Sequence, residues 1–152
     1  MPTVHVTAVA DDDVAAVVAE IAGRAVRVGR HCPRCGSRAH GRPVVDADGV
    51  HVSLARAGGR TVVAVADVAV GVDAERPGTV PADAVTAVGL EPGADPTRAW
   101  VRAEAVGKLT GDGLTVAPTA DAVVVAADLP GLVVAVATWE PAEVVVRAGR
   151  AG

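Results

Sequence analysis

Large aromatic side chains are almost absent from this chain, and that decides what its core is made of. There is no Phe and no Tyr; Trp100 and Trp139 are the only aromatics, while 51% of the residues are apolar, mostly Ala and Val. Small and β-branched side chains fill space best as strands packed on a few helices. A length of 152 residues fits one domain with a modest core. The expected class is α+β, with 1–152 as a single domain.

Charge narrows the partners. The formal net charge of -4 is mild, and non-specific nucleic-acid binding needs a basic footprint, so no nucleic-acid partner is expected. Met1-Pro2-Thr3-Val4-His5 has neither a basic nor an apolar leader region, and no apolar run reaches membrane-span length. The expectation is a cytoplasmic protein with no membrane partner.

Patterning places the elements. Thr3 to Val9 reads as a strand. Asp11-Asp12-Asp13 offers a cap to a helix whose apolar stripe is Val14, Val17, Val18 and Ile21, ending near Gly23. Short strands follow at Gly41 to Val45 and Val50 to Arg56. Gly58-Gly59 then turns the chain into an antiparallel partner, Arg60 to Val68. Val70 to Glu75 continues as a strand, and Ala82 to Val88 is a weak helix. Asp95-Pro96 is a strong helix start, with the end predicted near Gly111. Strands are predicted at Leu114 to Ala117, Ala122 to Ala127, Leu132 to Thr138 and Glu143 to Arg147.

Val62-Val63-Ala64-Val65-Ala66 recurs letter for letter as Val133-Val134-Ala135-Val136-Ala137. Two readings fit. Ala/Val-rich strands look alike by composition, or the chain holds two similar α+β halves, 1–69 and 70–152.

Two elements could carry chemistry. Asp73 and Glu75 alternate on a strand, so both carboxylates project from one face. Such a pair repels unless something neutralises it, and Mg²⁺ with its preference for oxygen does so. Taken alone, the same pattern is a solvated strand end. Trp100, Glu104 and Lys108 lie four residues apart along one helix face. That is either a stabilising Glu–Lys pair beside a core Trp, or a third carboxylate with a cation for phosphate.

A separate cluster is Cys32-x-x-Cys35 between His31 and His40. Read as a metal site it could supply four zinc ligands. Read otherwise, Cys32 and Cys35 are loop cysteines without metal, or a redox pair. His5 and His51 sit in strand-like segments and read as structural.

Taken together and in order, Val70-Gly71-Val72-Asp73-Ala74-Glu75 and the run from Trp100 through Glu104, Lys108, Gly111 and Gly113 to Leu114 resemble the 4′-phosphopantetheinyl transferase superfamily. That family carries a (V/I)GVDxE strand followed by a WxxKEAxxKxxGxGL helix. Cys32-Pro33-Arg34-Cys35-Gly36 with His40-Gly41-Arg42-Pro43 resembles the stretch before the first conserved strand in many actinobacterial members. The resemblance covers roughly residues 30 to 139 and is closest to the longer, pseudo-dimeric type, here shortened.

The resemblance implies two antiparallel α+β halves and transfer of phosphopantetheine from coenzyme A to a serine of an apo acyl or peptidyl carrier protein. It implies Asp73, Glu75 and Glu104 as Mg²⁺ ligands, with Glu104 also taking the serine proton. Lys108 is implied at the pyrophosphate or leaving phosphate. Arg42 and Ser53 are implied at coenzyme A phosphates. Three departures stand out: Leu54 where the family has His, Ala103 where it has Lys, and a short 76–99 segment. They leave a second reading open, a degenerate homologue that binds a carrier protein or nucleotide without turnover.

Overall fold

The computed structural model describes residues 1–32, 34–39, 41–115 and 121–149. The fold is mixed α+β, with three sheets and few helices. The first sheet has the order β4-β5-β1-β9, built from β1 (Thr3–Val9), β4 (His51–Ala57), β5 (Arg60–Ala66) and β9 (Glu143–Val146). The second has the order β6-β8-β7, from β6 (Gly71–Glu75), β7 (Val123–Ala127) and β8 (Val133–Thr138). A two-stranded ribbon, β2 (Val28–His31) with β3 (Arg42–Val45), stands apart. The helices are α1 (Val14–Ala22), α2 (Ala82–Ala87) and α3 (Pro96–Thr110).

Alternation along the strands builds the layers. Val4, Val6, Val62 and Ala64 of the first sheet meet Val72, Ala74, Val134 and Val136 of the second in one apolar seam. The opposite face of the first sheet, with Val63 and Val65, is covered by Val17 and Val18 of α1. The opposite face of the second, with Ala135 and Ala137, is covered by Val101, Ala105, Val106 and Leu109 of α3. No residue larger than valine stands among the largest fully buried side chains, as the missing aromatics require.

The two larger sheets share a connectivity: a first strand, a helix, then a hairpin whose second strand pairs antiparallel with the first. Gly59 and Gly131, both at φ 74, close the two hairpins. Two residues past them, Thr61 pairs with Val9 and Val133 pairs with Glu75. Aligned this way, the matching pentapeptides are one residue out of step. A one-residue slip exchanges the faces of a strand. Val63 and Val65 therefore face α1, whereas their letter-for-letter counterparts Val134 and Val136 face the seam. The repeated letters therefore do not occupy equivalent positions in the two units.

The slip has a structural consequence: α3 rests on alanines where α1 rests on valines. At Gly71 the approach is closest. A Cβ there would lie 2.0 Å from the Ala105 carbonyl oxygen and 2.6 Å from the Leu109 nitrogen. Only glycine fits, and it lets α3 settle onto β6.

Several local expectations changed. Asp11–Asp13 form a 3-10 turn before α1, with no side-chain cap at Asp13. Asp11 is engaged elsewhere, accepting from Arg56 Nη2 and from the Thr61 hydroxyl. The expected cap at Asp95 is present and accepts the Arg98 N–H at 3.1 Å. In place of the strand predicted at Leu114 to Ala117, Gly113–Thr115 make a 3-10 turn, and the rest of that segment lies outside the described residues. Trp100 is half-buried rather than a core residue. Among the described residues, no helix is long and apolar enough to cross a membrane.

Candidate functional site

The alternation of β6 puts Val72 and Ala74 in the seam, and so turns Gly71, Asp73 and Glu75 toward α3. Glycine at the first of these positions brings the helix down, and the next two carry acids. From α3, Lys108 reaches across: its Nζ donates to Asp73 Oδ1 at 3.1 Å and to the Leu54 carbonyl at 2.9 Å. The lysine therefore joins α3, β6 and β4 at one point.

The three carboxylates share one electrostatic neighbourhood. Burial pushes the Asp73 pKa up, and the attraction of Lys108 opposes this without cancelling it. Burial also raises Glu75, with the Asp73 charge adding to the effect and Lys108 opposing it. Glu104 is raised by burial, then by Asp73 and more weakly by Glu75, with Lys108 pulling the other way. One ammonium thus faces three acids. Asp73 Oδ2 is buried with no hydrogen-bond partner among the described residues.

Those features test the fit of a divalent cation. The donors are hard oxygens, the choice of Mg²⁺, and the unpartnered buried Asp73 Oδ2 leaves a lone pair open to a cation or a proton. Against this, no three Asp, Glu, His or Cys side chains among the described residues are grouped closely enough to hold a metal as they stand. The donor chemistry fits; the side-chain positions do not yet converge.

Beside the acids lies a cleft of ≈ 1170 Å³, floored by β4 and walled by the β2–β3 ribbon and the end of α3. Arg30, Arg38, Arg42, Arg56 and Lys108 line it, against Asp11 and Asp12. Its charge therefore suits an anion. Lys108 borders both cleft and acid cluster. Arg42 extends to the C-terminal end of α3, where Nη2 donates to the Lys108 carbonyl at 3.4 Å. His51, expected to be structural, is exposed on β4 and borders the cleft.

Ser53 also borders the cleft, but its side chain is committed inward. It is 4% exposed, and its Oγ accepts the Val72 N–H at 2.9 Å, tying β4 to β6 beside Asp73. Leu54 contributes its backbone carbonyl, a role no side-chain pattern could reveal. Arg102 next to Ala103 points to β7, where Nη1 donates to the Val124 carbonyl at 3.5 Å, so it does not replace the missing lysine. The short 76–99 segment is ordered by α2, whose Val85 is fully buried, and by the Val80 N–H bonded to Thr97 Oγ1.

In the cysteine loop, Cys32 is buried and Cys35 exposed, with no disulfide between them. His31 is exposed at the end of β2, and His40 lies outside the described residues. No family model matches this chain, and a search of curated proteins finds no match.

Proposed function

We propose that the chain transfers the 4′-phosphopantetheine group of coenzyme A to a serine of an apo acyl or peptidyl carrier protein, in the cytoplasm and with Mg²⁺. The observation that carries this reading is the position of Lys108, bonded to Asp73 and bordering a cationic cleft. That arrangement sets an acid cluster against a cationic cleft, which supports the reading. The duplicated connectivity supports a pseudo-dimeric 4′-phosphopantetheinyl transferase-like fold with halves 1–69 and 70–152.

In this reading Asp73, Glu75 and Glu104 hold Mg²⁺, which when bound neutralises charge on the pyrophosphate. Arg42 and Lys108 hold the coenzyme A phosphates from the cleft side. Glu104 takes the proton of the carrier serine, directly or through a water. Burial raises its pKa, which makes the carboxylate a stronger proton acceptor. The serine Oγ forms a bond to the β-phosphorus, the bond from that phosphorus to the bridging oxygen breaks, and adenosine 3′,5′-bisphosphate leaves. Ser53 holds β6 against β4 so that Asp73 keeps its place.

A second reading, a degenerate homologue binding carrier protein or nucleotide without turnover, is favoured by the acids' lack of convergence and by Leu54. Intact mass of an apo carrier protein incubated with coenzyme A and Mg²⁺ separates the two. The transferase reading expects a phosphopantetheine gain that disappears in Glu104→Ala. Binding of coenzyme A with no gain across a panel of carriers selects the second reading.

A further inference from the structure

The Cys-x-x-Cys loop plays no part in the reading above, yet it sits where the cleft's cations are set. The β2–β3 ribbon and its connection supply Arg30, His31, Arg38 and Arg42 to the cleft wall. Cys32 follows β2 directly. Its carbonyl accepts the Gly36 N–H at 2.8 Å, and its own N–H donates to the Ser37 carbonyl at 2.9 Å. A bond from residue i+4 back to residue i closes one helical turn. Within such a turn, residues i and i+3 have Cα atoms about 5 Å apart. This lies inside the span of roughly 4.4–6.8 Å that a disulfide bridges. A turn of this kind brings its first and fourth residues within the reach of a disulfide.

The two thiols differ in access: Cys35 is exposed, and Cys32 is 9% exposed. The base of the loop is tight. A Cβ at Gly41 would lie 2.5 Å from the His31 carbonyl oxygen and 2.6 Å from the Cys32 Cα. Gly41, the residue before Arg42, thus packs directly on the Cys32 backbone.

We propose that Cys32 and Cys35 form a reversible dithiol–disulfide pair, with Cys35 reacting first as the nucleophile and Cys32 resolving, at the end of the ribbon that carries Arg30 and Arg42. The oxidant is a small-molecule disulfide such as oxidised glutathione. The Cys35 thiolate attacks one of its sulfurs and releases one glutathione thiolate. The Cys32 thiolate then attacks Cys35 Sγ in the mixed disulfide and releases the second. Two protein thiols are oxidised, one glutathione disulfide is reduced, and the two protons leave with the two glutathione thiols. The pair does not depend on the transferase reading.

The test is intact mass of the full chain after oxidised glutathione and then an alkylating agent. The proposal expects a mass lower by two hydrogens, neither cysteine alkylated, and full reversal by dithiothreitol. Cys32→Ser is expected to accumulate a stable glutathione adduct at Cys35, and Cys35→Ser to remain largely unmodified. A wild-type chain that accumulates the mixed disulfide, or in which both thiols remain alkylatable, overturns the proposal. So does a chain purified with one equivalent of zinc that blocks both thiols. The wild-type masses decide the matter even if a serine variant folds poorly.

Discussion

Aligned on their hairpin glycines, the two strand–helix–hairpin units differ most at the helix-facing positions of their first strands. β1 turns His5, Thr7 and Val9 to the sheet face that α1 covers, and β6 presents Gly71, Asp73 and Glu75 to α3. Where the amino-terminal unit has a bulky ring, the other has no side chain at all. Where it has a hydroxyl, the other has a buried acid. The lesson is that one connectivity supports either a packed support or a charged site, and the helix height chosen by a few small residues decides which. Valines lie beneath α1, and its Glu20 pairs with Arg147. Alanines and Gly71 beneath α3 bring Lys108 into bonding range of Asp73.

The largest effect that would break this contrast is expected from Gly71→Val. Its side chain would overlap the α3 backbone, and overpacking of a tight interface costs about 3 kcal/mol. Urea unfolding measures it, and a loss below 1 kcal/mol would show that α3 does not sit as close as described. The next is Ser53→Ala, which leaves the buried Val72 N–H unpaired at a cost of about 2 kcal/mol. Ser53→Thr keeps the hydroxyl and should recover part of it. Thr7→Val acts in the opposite direction in the other unit. The Thr7 hydroxyl is buried with no partner among the described residues. Replacing it should stabilise the chain by about 1 kcal/mol.

The smallest effect is pH dependence, and the two units should oppose each other. Raised carboxyl pKa values at Asp73, Glu75 and Glu104 mean that the folded state holds protons the unfolded chain has released. Their contribution to stability is therefore present at low pH. It is lost as pH rises from the ordinary carboxylate range through the raised values. His5 is lowered by burial and by Arg147, with Glu143 opposing. Its contribution is present above the ordinary histidine value and lost as pH falls below it. Melting temperature against pH should decline less toward neutrality in Glu104→Gln than in the parent. His5→Gln should remove part of the acid-side loss. Parallel curves for all three proteins would remove the contrast.

Much of this fold is legible from local pattern. The alternation of Thr3 to Val9, the Gly58-Gly59 turn and the Asp95-Pro96 start each state their own geometry. Asp73, Glu75, Glu104 and Lys108 are also legible as candidates, because strand and helix periods put them on definable faces. What escapes is everything set by a partner far along the chain. β9 pairs parallel with β1 across most of the sequence, and no local signal announces it. The inward commitment of Ser53 and the use of the Leu54 carbonyl depend on β4 meeting β6 and α3. The cleft escapes too, since its cations are scattered singly from Arg30 to Lys108. The repeated pentapeptide is legible but misleading, because identical letters say nothing about which face they occupy.

In the proposed reading the β6–α3 acids form a cation site. Its most direct test is the melting temperature of the chain and of Asp73→Asn with and without Mg²⁺ at neutral pH. A ligand that binds only the folded state raises its stability. Mg²⁺ is expected to raise the melting temperature of the parent and to leave that of Asp73→Asn unchanged. No shift in the parent, or an equal shift in both proteins, would contradict it.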